Sequence, residues 1–341
     1  MNICDYINVQ DDRIMNGLIP TVNLMSKIES SGDEDVVIDF SRTKFISPVF
    51  ALSLLVYSSR SDKHISFTNM TEYMRAFHMN SVIMPDQGRK SEFVAVMESY
   101  AKRTYIPVIS FPAEKNNDDK EEILTVVENL IIRQSNIQSN VASGLKYMIS
   151  ETIDNITEHS DSDRGFICAQ AYPSKGYLDI CIADRGVTLL GSYQKLVDNE
   201  IESDIEAIKA ANRGLSSKNL PDAENRGYGI YTSKKMLING LGGQYMIMSG
   251  GAVYMKSRDV DGFFTLPRDL RWNGTVVALR IPYQAPQFNY INYIYSSLAS
   301  IIRRILNVCY EIIKPRVTIC CSFKFVFSNN SKLTSYNMIA T

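Results

Sequence analysis

Residues 140–184 constrain this chain more than any other stretch. From 140 to 158 there is no proline, and Val141, Leu145, Met148, Ile149, Ile153 and Ile156 recur at helical spacing, which predicts an amphipathic helix. Directly downstream, GFICAQAY (165–172) and GYLDICIAD (176–184) are β-rich and alternating. A Pro-Ser-Lys-Gly turn separates them, so the pair predicts a hairpin that ends in Asp184-Arg185-Gly186. On the helix, Glu151, Asn155 and His159 stand at i, i+4 and i+8 and share one face. A carboxylate, a carboxamide and an imidazole on one stripe can supply a base, an oxygen ligand for a hard cation, and a hydrogen-bonding prop. Taken alone, ETIDNITEH reads better as the solvated face of an amphipathic helix.

The order of features downstream decides between these. A long polar stretch leads to Asn225-Arg226-Gly227-Tyr228-Gly229, which opens a helical run, IYTSKKMLING. After Gly242-Gly243 come QYMIMS, AVYMKS and GFFTL, and finally Gly274-Thr275 leads into VVALRIP. In this order the motifs resemble a GHKL ATP-binding domain, the module of gyrase, mismatch-repair and chaperone ATPases, histidine kinases and anti-sigma-factor serine kinases. The resemblance spans roughly residues 118–283 and implies a two-layer α/β sandwich of the Bergerat type that binds ATP and Mg²⁺. In the implied site Asp184 accepts the adenine amino group, with Gly186 in its turn. Asn155 places its oxygen on Mg²⁺, Glu151 acts as base, and His159 stands on the same stripe. Gly227, Tyr228 and Gly229 cradle the phosphates through their backbone. Thr275 steadies Asp184 or a water beside the adenine. Residues 187–226 correspond to the family's lid, in which Lys218 is the candidate γ-phosphate contact. One departure stands out: where the family has Asp-x-Gly-x-Gly, this chain has Thr188 at the second glycine.

The N-terminal part alternates strand and helix: VVIDF (36–40), a helix following Ser47-Pro48, HISFTNM (64–70), and a helix over 71–84. This small α/β unit resembles a STAS-type domain, the fold of anti-sigma-factor antagonists. Ser47 sits where a helix cap belongs, ahead of Pro48 at the first helical position, and a capping role is weighed above phosphorylation. EFVAVMESY (92–100) reads as a strand or edge segment. YIPVISFPAEKNNDDKEE, with two prolines and an acidic, Asn-rich run, reads as a linker. The expected division is therefore a STAS-like domain over 1–112, a GHKL domain over 113–283, and a helix-and-strand extension over 284–341.

Composition narrows the function classes. A formal charge of −1 over 341 residues argues against a broad nucleic-acid surface and leaves room only for a local patch. Six scattered cysteines without a C-x-x-C pair, and three histidines outside any H-E-x-x-H, point away from disulfides and zinc. There is no P-loop signature, and no apolar stretch reaches the ~20 residues of a bilayer span. The first twelve residues lack a basic flank followed by an apolar core, so the chain is expected in the cytoplasm. The resemblance then implies an ATPase or a serine/threonine protein kinase acting in regulation. The alternative is a nucleotide-dependent protein-binding switch with little turnover. Expected partners are ATP, a regulatory protein and a second copy of the chain.

Overall fold

The computed structural model describes residues 1–4, 13–85, 89–114, 117–196, 200–215 and 229–297. The N-terminal elements are β1 (Asn2–Ile3), α1 (Met15–Ser30), β2 (Asp35–Asp39), α2 (Pro48–Ser58), β3 (His64–Thr68), α3 (Glu72–Ala76) and α4 (Lys90–Glu98). The three strands form a parallel sheet in the order β1-β2-β3. α2 is apolar around its whole circumference and is buried from Pro48 to Val56, as expected for a helix enclosed on all sides. Its start is built from two local signals: Pro48 at the first helical position, and the Ser47 hydroxyl, which accepts the Phe50 N–H.

Two segments differ from the sequence reading. Residues 92–100 lie in and just after the helix α4, because Phe93, Met97 and Tyr100 are the buried positions and their spacing is helical. A short apolar run carries too few residues to separate period two from period 3.6. The helix expected over 71–84 stops at Ala76; His78 adopts a left-handed φ of 61°, and Ile83 bridges in parallel to Ile109 of the next strand.

The larger sheet begins with β4 (Tyr105–Pro112), inside the segment read as a linker. Its prolines fit an edge strand: Pro107 falls at a shift in register and Pro112 closes the strand. Then follow α5 (Asp118–Ser135), α6 (Ser139–His159), β5 (Arg164–Tyr172), a 3₁₀ turn (Pro173–Lys175), β6 (Tyr177–Asp184), α7 (Leu189–Tyr193), α8 (Asp204–Asn212), α9 (Gly229–Lys235) with a π-helical continuation (Met236–Gly240), β7 (Gln244–Gly250), β8 (Ala252–Lys256), β9 (Asp261–Thr265) and β10 (Trp272–Pro282). The seven strands run antiparallel in the order β4-β5-β6-β10-β7-β8-β9. β10, the last strand among the described residues, is thus inserted between β6 and β7. The predicted helix over 140–158 and the hairpin are α6, β5 and β6.

Register fixes what each face carries. Ile182, Val277 and Ile247 stand side by side across β6, β10 and β7, on the face covered by α6 and α9. Cys181, Ala278 and Met246 are the neighbouring set and point the other way. That second face is covered by the N-terminal elements: Cys168, paired with Cys181, has its thiol against the Pro48 carbonyl of α2, and Tyr73 of α3 donates to Gln170 of β5. The molecule is therefore mixed α/β, with a seven-stranded antiparallel sheet covered on both sides. Residues 1–297 make one compact unit, and the expected division at 112/113 falls just after the sheet's first strand. Residues 290–297, inside the extension expected over 284–341, are helical; residues 298–341 lie outside the described residues. Among the described residues, no helix is long and apolar enough to cross a membrane.

Candidate functional site

Asp184 ends β6 on the face beneath α6 and is 2 % exposed. A buried carboxylate needs donors, and two backbone groups supply them: Gly186 N–H at 2.8 Å to Oδ1 and Thr275 N–H at 3.1 Å to Oδ2. Burial nevertheless dominates and pushes its pKa up to about 7. Two glycines permit this packing. Gly274 has a φ of 94°, and a Cβ there would lie 2.5 Å from the Asp184 carbonyl oxygen. A Cβ on Gly186 would lie 1.8 Å from the Ser160 carbonyl oxygen, so the Asp-Arg-Gly turn rests directly on the C-terminus of α6. Val187 N–H locks that contact by donating to the same carbonyl at 2.6 Å.

Thr188, the departure from the glycine pattern, caps α7. Its hydroxyl accepts the Gly191 N–H at 3.0 Å, and its backbone is extended (φ −70°, ψ 166°), a conformation that needs no glycine. Ser249, at 1 % exposure, was not singled out in the sequence, yet it joins three segments around Asp184. It accepts from Leu189 N–H at 2.9 Å, donates to the Gly274 carbonyl at 2.8 Å, and lies 3.4 Å from the Thr275 hydroxyl. The only signal for it is a polar residue closing the apolar alternation of β7.

Asp184, Thr188 and Thr275 line a cleft of roughly 700 Å³, its mouth included, between α6 and the sheet. Ile156, Ile182, Ile247 and Val277 make apolar walls, and Asn155, Asp184 and Thr188 are polar groups converging on it. An apolar slot with a few placed polar groups is the usual form of a small-molecule site. Asn155 turns its amide nitrogen onto the Glu151 carbonyl, so its oxygen is the group it can offer a ligand. His159 also lines the cleft, with Nε2 3.8 Å from the Glu158 carboxylate. Glu151, one turn before Asn155, is not among the residues lining this cleft. Its carboxylate lies against the first residue of α9, where a Cβ on Gly229 would come 2.1 Å from Oε2. It also shares a hydrogen bond with Tyr147, whose phenol is held protonated by burial and by that carboxylate.

The outer wall comes from α7 and α8. The Ser203–Glu206 capping box starts α8, Asp204 binds Gly251 N–H at 2.8 Å and Arg271 at 2.9 Å, and Tyr193 donates to the Leu215 carbonyl at 2.6 Å. Residues 197–199 and 216–226 of the expected lid over 187–226, and residues 227 and 228 after it, lie outside the described residues. Lys218, Gly227 and Tyr228 are among these. Among the described residues there is no cluster of three or more His, Cys, Asp or Glu that could hold a metal ion alone. No protein-family model matches the chain, and no curated protein matches its sequence.

Proposed function

We propose that the cleft binds Mg²⁺-ATP, that the chain is a GHKL-type protein, and that it works as an ATPase or a serine/threonine protein kinase in regulation. The observation that carries this is Asp184: a nearly fully buried carboxylate on the floor of an apolar slot, held open-faced by two backbone N–H groups. A flat base sliding between Ile156, Ile182, Ile247 and Val277 would present its exocyclic amine to that acceptor. Adenine fits this demand, and guanine, with a carbonyl at the equivalent position, does not. The residues present are compatible with the cation: a magnesium ion needs few protein ligands when phosphates supply the rest, and Asn155 is the protein ligand proposed. Once bound, the ion would neutralise charge on the phosphates. Glu151 is the proposed base, one turn before Asn155. Gly229, at the start of α9, belongs to the proposed phosphate-binding turn.

One observation favours the second reading, a nucleotide-dependent binding switch with little turnover. Glu151 is engaged with Tyr147 and packed on α9 rather than lining the cleft. Phosphate release and phosphotransfer by wild type and Glu151→Ala separate the two. Turnover in wild type that is lost in the variant, with ATP binding kept, supports the enzyme; ATP binding without turnover in wild type leaves the switch.

A further inference from the structure

α2 crosses the second face of the sheet from β5 towards the strand ends that carry Asp184. Its first residue, Pro48, lies against Cys168 of β5. The turn after its last residue meets the Asp-Arg-Gly turn, where Arg185 Nη1 donates to the Ser59 hydroxyl at 3.5 Å. One residue further on, Arg60 lines a hollow of about 760 Å³, its mouth included, together with Arg185, Trp272 and Asn273. These neighbours flank the two groups that hold Asp184: Arg185 directly precedes the Gly186 N–H, and Asn273 stands two residues before the Thr275 N–H. Between them, Gly274 leaves no side chain over the carboxyl; a Cβ there would lie 2.5 Å from Asp184 Oδ1. An exposed arginine of the N-terminal elements is thus set beside the strand ends that hold the buried carboxyl of the cleft.

Charge gives this placement a consequence. Burial pushes the Asp184 pKa up, and the Gly186 and Thr275 N–H groups and the Arg60 charge pull it down. The other cations around the hollow are engaged elsewhere. Arg271 pairs with Asp204 at 2.9 Å, Lys63 donates to the Ser31 and Asp33 carbonyls, and Arg185 lies 3.9 Å from Asp163 with its guanidinium over the Phe166 ring. Of the carboxylates lining it, Glu29 accepts the Tyr57 hydroxyl at 2.7 Å, and Asp62 is exposed. On the cleft side the titratable groups are His159 of α6 and Tyr193 of α7, whose phenol burial keeps protonated. A carboxylate accepts through both oxygens, whereas the protonated acid turns one of them into a donor. Whatever keeps this group ionised near neutral pH therefore sets how well it accepts.

We propose that Arg60 is a positioning residue of the cleft: carried by α2 to the ends of β6 and β10, its charge keeps the Asp184 carboxyl ionised and so able to accept the exocyclic amine of a base. This rests on the nucleotide reading given above. It makes the N-terminal elements electrostatic partners in base recognition, acting through Asp184 rather than on the nucleotide itself.

Urea melts of the full chain between about pH 5 and 9 test this, comparing wild type, Arg60→Ala and Arg60→Lys, each with and without Asp184→Asn. The difference that Asp184→Asn makes in each background separates this carboxyl from His159. In wild type that difference should level off as pH reaches about 7. Loss of Arg60 raises the folded value further, so Arg60→Ala should move the levelling-off up by about 0.2–0.7 pH units, the effect of one partly exposed charge. Arg60→Lys should restore it. At about pH 5, where the folded carboxyl is protonated, Arg60→Ala should melt as wild type does, which a loss of packing would not allow. Calorimetric titration with Mg²⁺-ATP at about pH 7 should be about twofold weaker in Arg60→Ala and recover by about pH 9. The proposal fails if the levelling-off is unmoved in Arg60→Ala, if Arg60→Lys does not restore it, or if Arg60→Ala is equally destabilised at low pH. A moved profile in a wild type that binds no ATP at any pH would overturn the nucleotide reading, and the role in base recognition with it, while the Arg60–Asp184 link stood.

Discussion

Asp184 ties the protein's pH response to its proposed site. Burial raises its pKa from an ordinary 3.8 to about 7, against the pull of the Gly186 and Thr275 N–H groups. The folded state therefore holds this proton more tightly than the unfolded chain. The contribution to stability is complete below the unfolded value and is lost as pH rises to about 7. Urea melts across this window should show a decline in wild type that Asp184→Asn flattens; parallel profiles would contradict the assignment. Ser249→Ala removes an acceptor from Leu189 N–H and a donor to Gly274, and should cost about 1–3 kcal/mol, read from the same melts. Glu151→Ala should keep ATP binding and lose turnover by about 10² to 10⁴, the range of a positioned base. At this scale Asp184, Asn155 and His159 were legible, because the end of a hairpin and one face of a helix converge on one cleft. Ser249 was not: a serine that ends an apolar strand looks like the start of a turn, and only the fold reveals that three backbone segments meet on it.

Elements were legible where their pattern was long. α6 and the β5–β6 hairpin follow the periodicity of their residues closely. α4 and β4 did not, since nine apolar-rich residues suit either period, and the prolines of β4 suit an edge strand as well as a linker. Thr188 shows how one position can be read two ways. Against the family pattern it is a missing glycine; in the structure it is the cap of α7. Thr188→Ala should therefore cost about 1 kcal/mol, and Thr188→Gly only a few tenths, measured by chemical denaturation. A glycine variant that is more stable than wild type would show that capping is not its role.

For the whole molecule, the N-terminal elements are part of the architecture of the large sheet rather than a separate bead. They cover Cys168 and Gln170, and the face that also carries Cys181 and Ala278. A chain consisting of residues 105–297 alone should therefore expose apolar surface, bind a hydrophobic dye and self-associate, whereas residues 1–297 should not. A well-behaved monomer of 105–297 would contradict this. The proposed binding of Mg²⁺-ATP on the opposite face is tested by thermal unfolding of the intact protein with each nucleotide. At ATP about 100 times its dissociation constant the stabilisation is about 2.7 kcal/mol, a rise of roughly 5–10 °C for a unit of this size. Mg²⁺-ATP should give this rise, Mg²⁺-GTP a much smaller one, and both Asp184→Asn and Asn155→Ala should lose it. An unchanged ATP shift in both variants would contradict the proposed binding.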